Sequence, residues 1–430
     1  MGKKVLLVDG GGRGHAIGWK LIQSPRLGKL YIAPGNAGTT QLGENVAVKS
    51  TDIDGLLAFA LKEKIDLTVV GRDYPLAMGI VDVFQKHELS IFGPTRRAAR
   101  IETSKIFSKR LMGSCDVPSA PYVPLDDYRQ AYRFVRKHFG ATSKPIVLKA
   151  DGLALGKGVY IQRTLAAAEQ AVDEIMVKRF YGDAGNHMIA EDFVDGQEVS
   201  IHAFCDGKSF KLFPSAQDHK AIFDGDEGPN TGGMGVIAPV PWFNDEAVVS
   251  DVIVGPILSG LNKEGRSFVG CLYPGLKISD KGPMVLEFNA RFGDPETQVY
   301  MRLLKSDLLE ILEACVEGHL HEVDIEWNPG FAVCVILASE GYPSSDYKKG
   351  VRIKGIFKAE DLPGVKVFHA GTKFDDGGRF VTAGGRVLGV TAVGTTLQGA
   401  LDQAYNAVTC VHFDGMQYRT DIGAKSLAVR

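Results

Sequence analysis

Two carboxylates, an amide and a guanidinium fall within eight residues of one segment, Glu287-Phe288-Asn289-Ala290-Arg291-Phe292-Gly293-Asp294. The run before it, Met284-Val285-Leu286, is apolar and reads as a strand. Side chains two apart on an extended backbone share a face, so Glu287 and Asn289 project together. Two hard oxygen donors at that spacing suit Mg²⁺, which takes one or two protein carboxylates and completes its shell with nucleotide phosphates and water. Arg291 comes next on that face if the strand runs that far, and its donor fork suits a carboxylate or a phosphate. Gly293-Asp294-Pro295 then turns the chain away. A surface strand with ordinary ion pairs has the same composition, so the meaning of the segment depends on its company.

The chain has 430 residues, too many for one core, and two to four domains are expected. Its formal charge is −2 with no Lys/Arg run, which argues against nucleic acid as a partner. No apolar run approaches the length of a bilayer span, and the opening strand Val5-Leu6-Leu7-Val8 is too short for a signal-peptide core. The six cysteines are scattered without metal spacing and read as reduced thiols of a cytoplasmic protein.

Residues 1–104 alternate strands (Val5–Asp9, Leu30–Ala33, Leu67–Val70, Ser90–Phe92) with a helical stretch from Ala16 to Ser24, the pattern of a parallel α/β sheet with ligand loops at its strand ends. Gly10-Gly11-Gly12-Arg13-Gly14-His15 is not a dinucleotide fingerprint. His15 stands where the third small residue belongs, and the second strand ends without an acid for a ribose. It remains a glycine loop at a helix N-terminus, suited to one phosphate, with Arg13 as charged donor. Pro34-Gly35-Asn36-Ala37-Gly38-Thr39 and Gly71-Arg72-Asp73 belong to the same sheet edge.

Downstream, a helix over Ser104–Met112 carries Lys105 and Lys109, and the strand Pro145–Ala150 carries Lys149 in an apolar run. The loop Asp151-Gly152-Leu153-Ala154-Leu155-Gly156-Lys157-Gly158 lacks the first glycine and the final Ser/Thr of a P-loop, and Val159-Tyr160-Ile161 continues as strand. It therefore predicts a hairpin that folds over triphosphate, with Lys149 reaching the phosphates. Between the strand Met188–Val194 and a strand over Glu198–Phe204 lies a hinge for an adenine edge, with Glu198 near ribose hydroxyls. Residues 214–241 show no periodicity and read as a long functional loop; His219 within it reads as a hydrogen-bonded structural residue. A helix over Ala247–Glu264 and strands over Phe268–Leu276 and Pro283–Asn289 form the platform for the opening segment. Trp327-Asn328-Pro329-Gly330 reads as a linker before a strand-rich end with strands at Phe331–Ala338, Val351–Ile356, Val365–His369 and Gly385–Thr391, then a helix over Thr396–Val408 and a Tyr418–Gly423 tail.

Taken in order, these segments resemble the phosphoribosylamine–glycine ligase family of ATP-grasp enzymes. The likeness covers nearly the whole chain, through Pro34–Gly38, Phe92-Gly93-Pro94-Thr95, Lys149–Gly152, Gly156–Gly158, Gln217–Lys220, Gly228–Gly235, Glu287–Glu296, His369–Lys373 and Tyr418–Gly423. Two positions depart from the family pattern. Gly14 stands where the first loop usually has Glu, and Gly71-Arg72-Asp73 stands for Gly-Pro-Glu. Both fall on the side expected to hold the amine acceptor.

The resemblance implies a multi-domain α/β fold: an N-terminal parallel α/β domain (1–104), an ATP-grasp core (105–330, lid about 121–195) and a C-terminal mixed α+β domain (331–430). It implies that ATP phosphorylates glycine and that 5-phosphoribosylamine attacks the acyl phosphate, with ATP and Mg²⁺ or Mn²⁺ required and no nucleophilic Ser or Cys. By the same likeness, Glu287 and Asn289 hold the metal, while Lys105, Lys149, Gly156, Lys157 and Gly158 cover the phosphates. Glu191, Val194 and Glu198 surround adenosine. Arg291 meets the acyl phosphate or glycine carboxylate, Asp294 and Asp218 meet the ammonium, and Gly12, Arg13, Asn36, Gly38, Asn230, Thr231 and Gly293 hold substrates. A monomer or weak homo-oligomer is expected. Two other classes compete with this reading. An NAD-linked oxidoreductase is disfavoured by the failed fingerprint, and a non-catalytic nucleotide sensor by the intact Glu287, Asn289 and Arg291. A relative that joins an amino acid to a different amine stays open at the two departures.

Overall fold

A computed structural model describes residues 2–154 and 157–428. The N-terminal sheet is parallel throughout, in the order Glu44–Asn45, Leu27–Pro34, Lys3–Asp9, Leu67–Val70, Ile91–Phe92. Val5 to Val8 are fully buried, as a continuous apolar run covered on both faces requires. The loops after Asp9, Pro34 and Val70 emerge together at the carboxyl edge, as expected. The first helix differs from expectation: it starts at Gly12, not Ala16, and runs to Leu21. His15 N–H already donates to the Gly11 carbonyl at 3.0 Å, so most of the glycine loop is helical turn. Gly14 is required there, because a Cβ would come within 2.6 Å of the Asp9 Cβ.

The lid is an antiparallel sheet ordered Tyr122–Leu125, Met188–Asp192, Ile146–Ala150, Val159–Gln162. Lys149 pairs with Val159, so the glycine loop closes a hairpin. The platform is built on Val269–Ser279, which pairs along one side with Gly282–Asn289. On its other side the predicted strand Glu198–Phe204 is broken into Gln197–Ser200 and Ala203–Asp206. The break places His202 in the core, where its ring takes the Gly293 N–H at 3.1 Å and faces the Tyr300 hydroxyl at 3.1 Å.

Residues 214–241 are not a loop. Gln217–Asp218 and Gly235–Ala238 join the sheet of the C-terminal region, ordered Gln217–Asp218, Gly235–Ala238, Phe331–Ala338, Arg386–Gly394, Val365–His369. Ala221–Phe223 and Glu227–Asn230 form a ribbon beside it. Strands this short carry no readable period. The stretch over Val351–Ile356 is likewise not a strand. It makes bridges only at Arg352 and Lys354, then turns at Gly355 (φ 82°) into a helix over Ile356–Glu360.

The Tyr418–Gly423 tail is docked. Arg419 is fully buried and grips Asp421 through two hydrogen bonds of 2.7 Å, with Asp226 of the ribbon at 2.9 Å. Removing a buried partner leaves carboxylates uncompensated. Arg419→Met is expected to lower stability by about 3 kcal/mol, measured as a fall in the denaturant midpoint; an unchanged midpoint would show that the tail adds nothing to the fold.

Candidate active site

Two cavities meet beneath the lid. One lies between the lid sheet and the platform and is lined by Lys105, Lys149, Gly158, Glu191, Val194, Glu198 and Asn230. The other, about 500 Å³, is bounded by the N-terminal loops, the end of the motif strand and the C-terminal sheet. Asp218, Lys220, Tyr273 and Glu287 line both and form the junction.

Lys149 Nζ donates to the Leu286 carbonyl at 2.8 Å and pairs with Glu191 at 2.9 Å. The Leu286 carbonyl is available because the motif strand bulges there: Gly275 faces Glu287, yet Leu276 faces Val285. Glu191 also meets Lys109 at 3.5 Å, and burial presses the Lys109 ammonium down to about 8 against that carboxylate's pull. Glu191, expected beside adenosine, lines this cavity between two lysines. Lys105 begins a helix capped by the Ser104 hydroxyl, while Asp151 accepts from Ile106 N–H at 3.0 Å and ties that helix to the hairpin. Gly156 lies outside the described residues. Lys157 does not line the cavity; its Nζ donates to the Pro343 carbonyl at 2.7 Å, which latches the hairpin to the C-terminal region. Glu198 sits at the wall with Lys277 at 3.3 Å and Lys220 at 3.7 Å; burial opposes its charge, but the two ammonium groups bring its carboxyl below the ordinary range.

Burial disfavours the Glu287 carboxylate, yet Lys105 at 3.1 Å, followed by Lys149 and Lys220, holds it down at about 2. Regular strand ends at Asn289, but Arg291 still reaches back, donating to Asn289 Oδ1 at 2.9 Å. Glu102 lies 3.3 Å from Arg291 Nε and accepts the Ala290 N–H at 2.8 Å. Burial works against the Arg291 charge, while Glu102 and Asp73 raise its pKa. An ionised Glu287 beside the Asn289 amide oxygen is the donor chemistry Mg²⁺ takes. Among the described residues no cluster of three or more His, Cys, Asp or Glu ligands stands with them, so the remaining ligands would be phosphate and water.

The two candidates for an ammonium partner separate. Asp294 is committed: one oxygen accepts from Gln298 at 2.8 Å, and the other meets Arg386 at 3.2 Å. Asp218 Oδ1 is buried without a hydrogen-bond partner, and burial pushes that carboxyl up to about 7. Thr231 lines the second cavity. The expected substrate contacts at Asn36, Gly38, Gly12 and Gly293 are instead scaffold. Asn36 Oδ1 accepts from Gly38 and Thr39 N–H groups, and its amide donates to the His369 and Gly10 carbonyls. Gly38 abuts the His369 ring and Gly12 abuts Gln298; Gly293 carries the hydrogen bond to His202. Arg13 lines the cavity, but it pairs with Asp9 at 2.8 Å and donates to the Phe292 carbonyl at 2.9 Å. His219 is structural as expected, taking the Gly423 N–H at 3.0 Å.

Sequence reasoning missed Glu102, Lys220, Tyr273, Glu296 and Arg386. Lys220 and Glu296 lay inside quoted motifs, so their types were a usable signal. Glu296, buried, accepts from the Tyr273 hydroxyl at 2.7 Å. Arg386, from a strand nearly a hundred residues away, donates to the Gly232 and Asp294 carbonyls at 2.5 and 2.7 Å. Nothing local marked it.

Comparison with known proteins follows the same division. The chain matches the phosphoribosylglycinamide synthetase N domain over residues 3–102, the ATP-grasp (A) domain over 103–297 and the C domain over 332–425. It is 47% identical over 423 residues to a phosphoribosylamine–glycine ligase of Caldanaerobacter subterraneus subsp. tengcongensis, covering 98% of this chain and 99% of that one. A Yersinia pestis protein of the same name is 45% identical, covering 99% of each. The crystal structure of a Thermotoga maritima phosphoribosylamine–glycine ligase superposes with a TM-score of 0.83 at 33% identity, over 97% of this chain and 100% of that one. The biotin carboxylase domain of Hydrogenobacter thermophilus 2-oxoglutarate carboxylase, solved with MgADP, shares the fold (TM-score 0.75, 16% identity, 97% and 92% covered).

The lysine–glutamate–lysine arrangement makes its own prediction. Glu191→Gln leaves Lys109 and Lys149 buried without their carboxylate, and about 3 kcal/mol of stability should be lost. Thermal unfolding of the variant checks this; an unshifted midpoint would mean the lysines are not held by that charge.

Proposed function

The chain belongs to the phosphoribosylamine–glycine ligase family of ATP-grasp enzymes, and from that premise we propose how its own residues divide the reaction. It is an ATP-dependent carboxylate–amine ligase of purine biosynthesis, joining glycine to 5-phosphoribosylamine with release of ADP and phosphate. The observation that carries the division of labour is the shared wall. Asp218, Lys220, Tyr273 and Glu287 face both cavities, so a phosphoryl donor on one side and an acceptor carboxylate on the other meet there.

ATP occupies the cavity under the lid, with its phosphates toward Lys105 and Lys149 and its base near Val194. Mg²⁺ bound with the phosphates neutralises charge on the transferring group; Glu287 and Asn289 Oδ1 would hold it, and the same oxygens accept Mn²⁺. A glycine carboxylate oxygen attacks the γ-phosphorus as the bond to ADP breaks. Arg291 faces that carboxylate and the negative charge that develops on it, its guanidinium held in place by Glu102 and Asn289. Asp218, whose Oδ1 lacks an internal partner, takes the glycine ammonium. The acceptor's nitrogen lone pair then forms the C–N bond, the C–O bond to phosphate breaks, phosphate leaves, and the amine releases a proton. Lys157 on Pro343 keeps the hairpin shut against water, which hydrolyses acyl phosphates.

The cysteines are all free, which suits the reducing cytoplasm. No helix among the described residues is long and apolar enough to cross a membrane.

A substrate matrix tests the assignment: ATP turnover with glycine or other amino acids, each with and without phosphoribosylamine. Turnover requiring both glycine and phosphoribosylamine is expected; product with glycine and another amine only would reassign the acceptor. Arg291→Ala should lower kcat about 100- to 1,000-fold, and near-normal turnover would remove it from the phosphoryl step. Asp218 must be ionised to bind an ammonium. Below its value of about 7 the free enzyme holds it protonated, so kcat/KM for glycine should rise with pH through that region. Asp218→Asn should abolish this rise along with most of the affinity for glycine; an unchanged profile would place the ammonium elsewhere.

A further inference from the structure

The glycine loop and Arg13 look, by residue type, like the place where an incoming phosphate would sit. In the folded chain that place already holds an anion. Asp9, 1% exposed, accepts the Gly11 N–H at 2.7 Å through Oδ1 and pairs with Arg13 Nε at 2.8 Å through Oδ2. Its side chain also fills the space beside Gly14, where a Cβ would strike Asp9 Cβ. Asp9 therefore engages the Gly11 N–H and the Arg13 guanidinium from within the chain.

Five cationic side chains line the acceptor cavity: Arg13, Arg72, Lys220, Arg291 and Arg386. Four have internal partners. Arg13 has Asp9, Lys220 has Asp218 at 3.6 Å and Glu198 at 3.7 Å, Arg291 has Glu102, and Arg386 has Asp294. Arg72 differs. Among the described residues its guanidinium forms no hydrogen bond or ion pair, and it is half-buried at the cavity wall. The neighbouring Asp73 does not claim it; that carboxyl, despite burial, is held below its ordinary range chiefly by Arg291 and Arg13.

We propose that Arg72 binds the 5′-phosphate of the amine acceptor. The assignment rests on the acceptor reading above. A phosphate monoester is a dianion with several acceptor oxygens, and an arginine fork with unused donors on a cavity wall is the group that matches it. The amine end of the acceptor would point away from Arg72, toward Arg291 and the junction where the acyl phosphate forms.

The test uses the full chain and its Arg72→Gln and Arg72→Lys variants. Circular dichroism confirms that each is folded. Steady-state kinetics with phosphoribosylamine generated in situ should show the acceptor KM raised about 10- to 100-fold in Arg72→Gln, as loss of a charge-assisted hydrogen bond implies. Arg72→Lys should recover part of that loss. The KM values for ATP and glycine are controls that a general structural defect would also move. Calorimetry with ribose 5-phosphate and with ribose gives the second readout. The wild type should bind the phosphate ester far more tightly than ribose, and Arg72→Gln should erase the difference. Equal affinity of wild type and Arg72→Gln for ribose 5-phosphate overturns the proposal whether or not turnover is seen. Absence of wild-type turnover with phosphoribosylamine and glycine, by contrast, overturns the acceptor reading itself, and the two failures are separate measurements.

Discussion

Lys149 joins the two halves of the nucleotide cleft. It stands on a lid strand, yet its ammonium donates to a platform carbonyl and pairs with Glu191, which is paired in turn with Lys109. Ammonium and carboxylate groups removed from water must find one another or lose their charge. That requirement fixes the distance between lid and platform. The bulge at Leu286 lies at the carbonyl that accepts from Lys149. It precedes Glu287 by one residue, and that carboxylate is ionised because Lys105 and Lys149 converge on it. The cleft is a charge-compensated seam before any nucleotide enters.

The acceptor side obeys the same rule with a different outcome. Internal carboxylates there neutralise most of the arginines and, in doing so, lock domains together. Asp294 with Arg386 joins the motif turn to the C-terminal sheet, and Arg13 with the Phe292 carbonyl joins the N-terminal helix to that turn. Phe92 and Phe292, 5.8 Å apart, add an apolar contact between the same two regions. The turn at Phe292–Asp294 is therefore held by three contacts, an arrangement that fixes placement. Asp218 Oδ1 and the Arg72 guanidinium are among the groups left without a hydrogen-bond partner on this side.

Much of this was legible in the chain. The strand before Glu287, the hairpin after Lys149, the helix that carries Lys105 and the parallel N-terminal sheet all rest on local spacing and residue type. The ordered set of motifs identified the family. Errors arose where local signal was thin. The short strands between Gln217 and Ala238 draw their stability from Phe331–Ala338, far along the chain, and so had no period of their own. The Glu198–Phe204 alternation concealed a break that exists to bury His202.

Residue type and spacing alone put Glu287 and Asn289 on one face with donors that suit a divalent cation, because side chains two apart on a strand share a face in any fold; the nucleotide and the activated carboxylate came from the resemblance of the ordered motifs to a family. Only the tertiary structure decided which charges remain available. Asp294, Arg13 and Asn36 carry the right chemistry for ligands, yet each is engaged by a partner that folding brings from elsewhere in the chain or from the next loop. Folding sets the distance from each charged group to its nearest opposite charge, and the order of residues along the chain does not.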